Sequence, residues 1–153
     1  MTSIEEEPMP VVNPYLLFNG NCEEAFVFYQ SVLGGELVLI RFGDMPGDPG
    51  DMPADVAKRI AHAAMPFSET NLLMASDCPP DREVNTVNQG FHVQLELDSA
   101  AEADRVFHAL TSGGEIDMAF GPVPWAEAYG LGTDKFGVSW MVNYTGNVTM
   151  RSS

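Results

Sequence analysis

Positive charge is what this chain has least of. Seven Lys and Arg stand against 22 Asp and Glu, a formal net charge of −15. Phosphate backbones and anionic lipid surfaces are held by basic faces, so neither a nucleic acid nor a membrane is an expected partner. Long apolar runs are also missing, and none approaches the roughly 20 residues that cross a bilayer as a helix. The start of the chain, Met1-Thr2-Ser3 and then Glu5-Glu6-Glu7, lacks the basic and apolar regions of a secretion signal. Cysteine is scarce: Cys22 and Cys78 show no C-x-x-C spacing and no disulfide framework. Reduced thiols in a cytoplasm are the expectation, and a Cys22–Cys78 bridge is the alternative that nothing asks for. A Walker loop, a G-x-S-x-G elbow and a G-x-G-x-x-G turn between strand and helix are all absent.

What is present is a repeat. Glu24-Ala25, Phe28-Tyr29 and Gly34-Gly35-Glu36-Leu37 return as Glu102-Ala103, Val106-Phe107 and Gly113-Gly114-Glu115-Ile116, an offset close to half of the 153 residues. Self-similarity at that period means two copies of one module, which pack as a pair and build a site between them. The length and the 45% hydrophobic content fit one globular domain with a real core. The expected domain covers residues 11–144, with modules at about 11–77 and 90–144 and tails at 1–10 and 145–153.

Each copy uses the same grammar. An apolar strand at 11–18 closes at Asn19-Gly20, and Asn21 with Glu24 has the look of a capping box. Apolar residues at 22, 25, 26, 29, 32 and 33 then follow one helical face, which Gly34-Gly35 ends. In the second copy a strand at 91–97 leads to Ser99 and Glu102, an S-x-x-E box. Ala103, Val106, Phe107 and Leu110 make the stripe, and Gly113-Gly114 stops it. Strand character follows at 36–42, 59–65 and 71–76, and again at 115–120, 126–130 and 138–144. Each half therefore reads strand–helix–strand–strand–strand. The Gly-, Pro- and Asp-rich stretch 43–53 is a loop, and 77–88 links the halves. Asp44, Asp48 and Asp51 in that loop lack EF-hand spacing and a closing Glu.

Two βαβββ modules carrying Phe28-Tyr29-Gln30-Ser31-Val32-Leu33-Gly34-Gly35 and Thr133-Asp134-Lys135-Phe136-Gly137-Val138-Ser139-Trp140-Met141 resemble the vicinal oxygen chelate superfamily. That superfamily holds glyoxalase I, bleomycin-resistance proteins and extradiol dioxygenases. The strand from Pro14-Tyr15 to the turn Gly20-Asn21 is similar to its PhnB-like branch, and the likeness runs from about Asn13 to Tyr144. It implies an α+β fold, two tandem modules forming a curved mixed sheet around a cavity. It also implies a homodimer, because members commonly pair and the fold exposes strand edges that want covering. PhnB-like relatives have sometimes been labelled ubiquinone-biosynthesis methyltransferases, but nothing in this chain resembles a nucleotide-cofactor loop.

Metal enzymes of the superfamily place one ligand on the first strand and one on the last strand of each module, using His, Glu or Gln. Carried over by position, His92 matches one of these. Met141 and Met74 stand at the last-strand positions, and Asn13, Pro14 or Tyr15 at the remaining one. One ligand of four does not hold a catalytic metal, so neither a metal nor a cofactor is expected. The expected function is binding of a small organic molecule in the cavity without the usual metal set. The alternative is an enzyme, lyase-, isomerase- or dioxygenase-like, acting on a small oxygen-rich metabolite by acid–base chemistry or with a divalent metal. A third reading is an oligomerising structural relic.

Five residues stand out as ligand-facing candidates. Period two along 91–97 sets Phe91, Val93, Leu95 and Leu97 against the helix and His92, Gln94 and Glu96 on the other face. His62, in an apolar strand, reads either as a hydrogen-bonded core histidine or as a general base. Trp125, Glu127 and Tyr129 share one face of their strand. If that face is concave, an aromatic wall with one carboxylate suits a small-molecule pocket; if convex, the rings are core. Tyr15 is likewise an anchored phenol in a pocket or a core residue with its hydroxyl at the rim. The nine methionines suit an adaptable apolar cavity and ordinary packing equally well.

Overall fold

Apolar stripes at helical spacing need a surface to cover, and the two long helices find it on two sheets. The computed structural model describes residues 9–46, 50, 52–85 and 90–148. Its first module runs β1 (Tyr15–Phe18), α1 (Cys22–Leu33), β2 (Val38–Arg41), α2 (Ala54–Lys58), β3 (Ile60–Phe67) and β4 (Asn71–Asp77). The second runs β5 (Val93–Glu96), α3 (Ala100–Thr111), β6 (Glu115–Val123), β7 (Ala126–Thr133) and β8 (Ser139–Tyr144). The strand orders are β1-β4-β3-β2 and β5-β8-β7-β6. In each sheet the first strand is parallel to the last and the other pairs are antiparallel. This is the expected α+β fold, built as two four-stranded mixed sheets.

The stripes bury as their spacing predicts: Cys22, Ala25, Phe26, Tyr29 and Val32 on α1, and Ala103, Val106, Phe107 and Leu110 on α3. On the second sheet, Gly130 lets α3 come close, since a Cβ there would lie 2.6 Å from the Phe107 ring. The modules meet through their helix sides. Tyr29 and Trp140 are fully buried with ring centroids 5.1 Å apart. Buried Asp134 accepts from both, from the Tyr29 hydroxyl at 2.6 Å and the Trp140 indole N–H at 2.9 Å. Its other oxygen accepts from the Phe136 and Val138 amides.

Several boundaries differ from the sequence expectation. β1 starts at Tyr15, since Pro14 has no N–H to give a ladder, although its carbonyl accepts from Met74 N–H at 3.2 Å. β5 shrinks to four residues, and Phe91 is exposed instead of packed on the helix. Asn21 makes no side-chain cap. Asp77 from β4 does that work, accepting from Gly20 and Cys22 N–H through one oxygen and from Ile60 N–H through the other. At α3, Ser99 accepts from Glu102 N–H as expected, but the Glu102 carboxylate turns to Arg105 and leaves the box half made. A single 3-10 turn at Phe42–Asp44 opens the loop. Asp48, Asp51, most of the tail 1–10 and the end of 145–153 lie outside the described residues.

Candidate functional site

Each sheet has its long helix on one side, which leaves the other side free of that helix. Strand register maps these faces residue by residue, because Cα partners across a ladder point the same way. On the first sheet one row is Tyr15, Met74, Ala64 and Val38. The next is Leu17, Ser76, His62 and Ile40. The apolar side chains here are open: Tyr15, Leu17, Val38 and Ile40 are 46%, 45%, 47% and 37% exposed. Tyr15 and His62 come together, with the phenol oxygen 3.1 Å from Nδ1 and the rings 5.7 Å apart. Tyr15 is therefore an anchored phenol on the open face, and His62 is half-buried and hydrogen-bonded.

The second sheet carries three rows. Glu96, Asn143 and Tyr129 form one, and Gln94, Met141, Leu131 and Met118 the next. At the third, His92 Nδ1 lies 2.6 Å from Ser139 Oγ, and Thr133 donates to Asp117 at 2.9 Å. Trp125, at the turn before β7, sets its ring edge-on to Tyr129 at 5.3 Å. Glu127 follows the parity of Tyr129, and its carboxylate accepts from Asn147 N–H at 2.6 Å. The Trp125–Tyr129 wall thus stands on the helix-free side. Burial works against ionisation of Glu96, but the N–H of Thr145 and the amide of Asn143 donate to it and hold its carboxyl below the usual range.

His92, Trp125 and Glu127 share one face, Tyr15 and His62 the other, and no described contact joins the two sets. Between the sheets a groove of about 420 Å³ runs from Pro14, Phe67 and Leu73 to Val93, Leu95 and Trp140, with Gln94 and Glu96 at its border. Asn143 carries no motif of its own, and Ser139 lies within the run 133–141 without standing out as a site residue. Alternation through Met141 is the one signal in the chain that sets them on this face.

The comparisons agree with the fold. A model of the Glyoxalase/Bleomycin resistance protein/Dioxygenase superfamily matches residues 11–142, and the chain belongs to that superfamily. It is 37% identical to the protein YjdN of Escherichia coli K12 over 143 residues, which is 88% of this chain and 95% of that one. The crystal structure of protein PA1353 from Pseudomonas aeruginosa is similar at a TM-score of 0.78 and 44% identity, covering 89% of this chain and 98% of the other. The PhnB protein from Bacillus cereus is similar at 0.68 and 29% identity, covering 87% and 98%.

The residues present do not fit the metal of the superfamily's metal enzymes. Met74 and Met141 offer thioethers at sheet-centre positions where a hard divalent cation needs oxygen or imidazole. Tyr15 is occupied with His62, and Asn13 Oδ1 accepts from Leu72 N–H at 2.8 Å. Among the described residues no three His, Cys, Asp or Glu side chains converge.

Proposed function

We propose that this protein binds a small organic molecule against the helix-free sheet faces, without the family's four-ligand metal set. Tyr15, His62, His92, Trp125 and Glu127 are its ligand-facing residues. It works as a homodimer, in a cytoplasm where the free, buried Cys22 and Cys78 stay reduced. The observation that carries this reading is the exchange at the ligand positions: thioethers and an engaged phenol stand there, while the faces around them keep aromatic and apolar side chains. Such lining, with a few placed polar groups, suits a small-molecule site.

A thermal-shift screen with and without chelator tests it. A ligand at a hundred times its Kd adds about 2.7 kcal/mol of stability, and that shift is expected to survive chelator. Near-stoichiometric Ni, Zn, Mn or Fe(II) that disappears in His92→Ala would sink it. One observation favours the enzyme reading, the Tyr15–His62 pair, because an imidazole anchored by a phenol on an open face suits proton transfer. Turnover lost in His62→Gln with affinity intact would establish that reading instead.

A further inference from the structure

The second sheet has an unusual balance of charge and hydrogen bonding. Its four strands contain no Lys or Arg and carry Glu96, Glu115, Asp117 and Glu127. None of these carboxylates makes an ion pair among the described residues. Asn143, at the centre of the Glu96–Asn143–Tyr129 row, is only 6% exposed. Its amide spends both donors, on Glu96 Oε1 at 2.7 Å and Thr145 Oγ1 at 3.0 Å. Oδ1 is therefore turned away from that carboxylate, and among the described residues no group donates to it. A buried acceptor left without a donor is costly, and a ligand N–H would recover that cost. Tyr129, the register partner of Asn143, braces edge-on the Trp125 ring, which is partly open to solvent.

Acceptors, unpaired carboxylates and an aromatic face call for one kind of guest. We infer that the ligand is an organic cation, its N–H group accepted by Asn143 Oδ1, its charge met by the Glu96 and Glu127 carboxylates of the same sheet face, and its body lying against the Trp125–Tyr129 pair. A neutral donor would satisfy Asn143 alone, and an anionic ligand would meet Glu96 and Glu127. An ammonium donates to the amide oxygen, is attracted by the charge of the nearby carboxylates and gains from the ring face. The net charge of −15 adds a field that draws cations in from solution. The inference rests on the small-molecule reading above and narrows it to a chemical class.

The test uses the full chain and three probes of one shape: 2-phenylethylammonium, 2-phenylethanol and phenylacetate. Trp140 is fully buried, so Trp125 emission is the reporter, and Trp125→Phe assigns the signal. The ammonium is expected to bind about tenfold or more tightly than the alcohol, with the margin shrinking as salt rises. Glu96→Gln is expected to bring the two near parity, and Asn143→Leu to weaken the ammonium selectively. An alcohol or carboxylate that binds as well as the ammonium overturns the cation class and leaves the broader reading standing. The wild-type ranking decides this even if a variant does not fold. If none of the probes moves Trp125 at millimolar concentration, the cation class fails. The small-molecule reading falls with it only if the thermal-shift screen is blank too.

Discussion

The run Asp134-Lys135-Phe136-Gly137-Val138-Ser139-Trp140 looks like a signature, and the structure gives it a cause. One carboxylate organises the turn through two amides and then reaches an indole and a phenol. The local part is legible in the sequence, because Asp with amides two and four residues on is turn chemistry. The phenol is not, since Tyr29 lies 105 residues away. Tyr29→Phe tests the pin. At neutral pH it is expected to cost about 1.5–3 kcal/mol, the worth of a hydrogen bond to a charged group. Burial, then the Asp134 charge and hydrogen bond, push the Tyr29 phenol far above its ordinary value of 10.0. Burial, then Asp77 and Glu23, push the Cys22 thiol above 9.0. Both groups are held protonated in the fold, so their stabilisation is full below those ordinary values and is lost as pH rises above them. Each contributes a fall of about 1.4 kcal/mol per pH unit. Wild-type stability in urea should therefore drop from about pH 9, more steeply past pH 10. Tyr29→Phe should lose only the steeper part; identical alkaline slopes would show that the phenol is not coupled to folding.

At the scale of elements, period and punctuation carry most of the information. Two stripes at helical spacing, followed by glycine pairs, mark both long helices; apolar strand character marks most strands, and alternation marks 91–97. What stayed hidden was set by partners far along the chain or by shortness. α2 has five residues, too few to show a period, and β1 loses its start to Pro14. The cap of α1 is the clearest case. Asn21-Cys22-Glu23-Glu24 is a plausible local start, yet the acceptor comes from Asp77, which ties the first turn of α1 to β3 and β4 at once. The two helix starts should therefore differ in sensitivity. Ser99→Ala removes one side-chain acceptor at α3 and should cost about 1 kcal/mol. Asp77→Ala strands three N–H groups of two elements and should cost roughly 2–4 kcal/mol. Urea midpoints at constant m-value measure both, and equal losses would deny Asp77 its double role.

The whole molecule presents two open faces on one chain, and here the sequence reaches its limit. Alternation leaves open whether Tyr15, His62 and the Trp125–Glu127–Tyr129 set face a pocket or the core. Strand register sets Tyr15 and His62 on one face and His92, Trp125 and Glu127 on another, but a single chain carries no signal for which faces meet. Apolar exposure supplies the missing argument. Tyr15 and Leu17 stand open on one edge strand of the first sheet and Val38 and Ile40 on the other, with Met74, Ala64, Ser76 and His62 between them, and Met118 and Trp125 stand open on the second sheet. Exposed apolar side chains gathered on one sheet face mark an interaction surface. With the helix sides already joined through Tyr29, Trp140 and Asp134, the proposed homodimer would cover a sheet face with a second copy and keep both sets of proposed ligand-facing residues in one assembly. Light scattering should therefore find a particle of twice 16.6 kDa. Ile40→Lys puts a charge on the β2 edge of the exposed face, where desolvation on association is costly. It should shift the particle to one chain while leaving the thermal midpoint of each module nearly unchanged, since the side chain touches no core. Ligand response should fall with dimerisation if the two faces close one cavity. A wild-type chain that stays monomeric at high micromolar concentration and still binds its ligand would put the whole site on one sheet face, and the row from Glu96 to Trp125 would then have to serve alone.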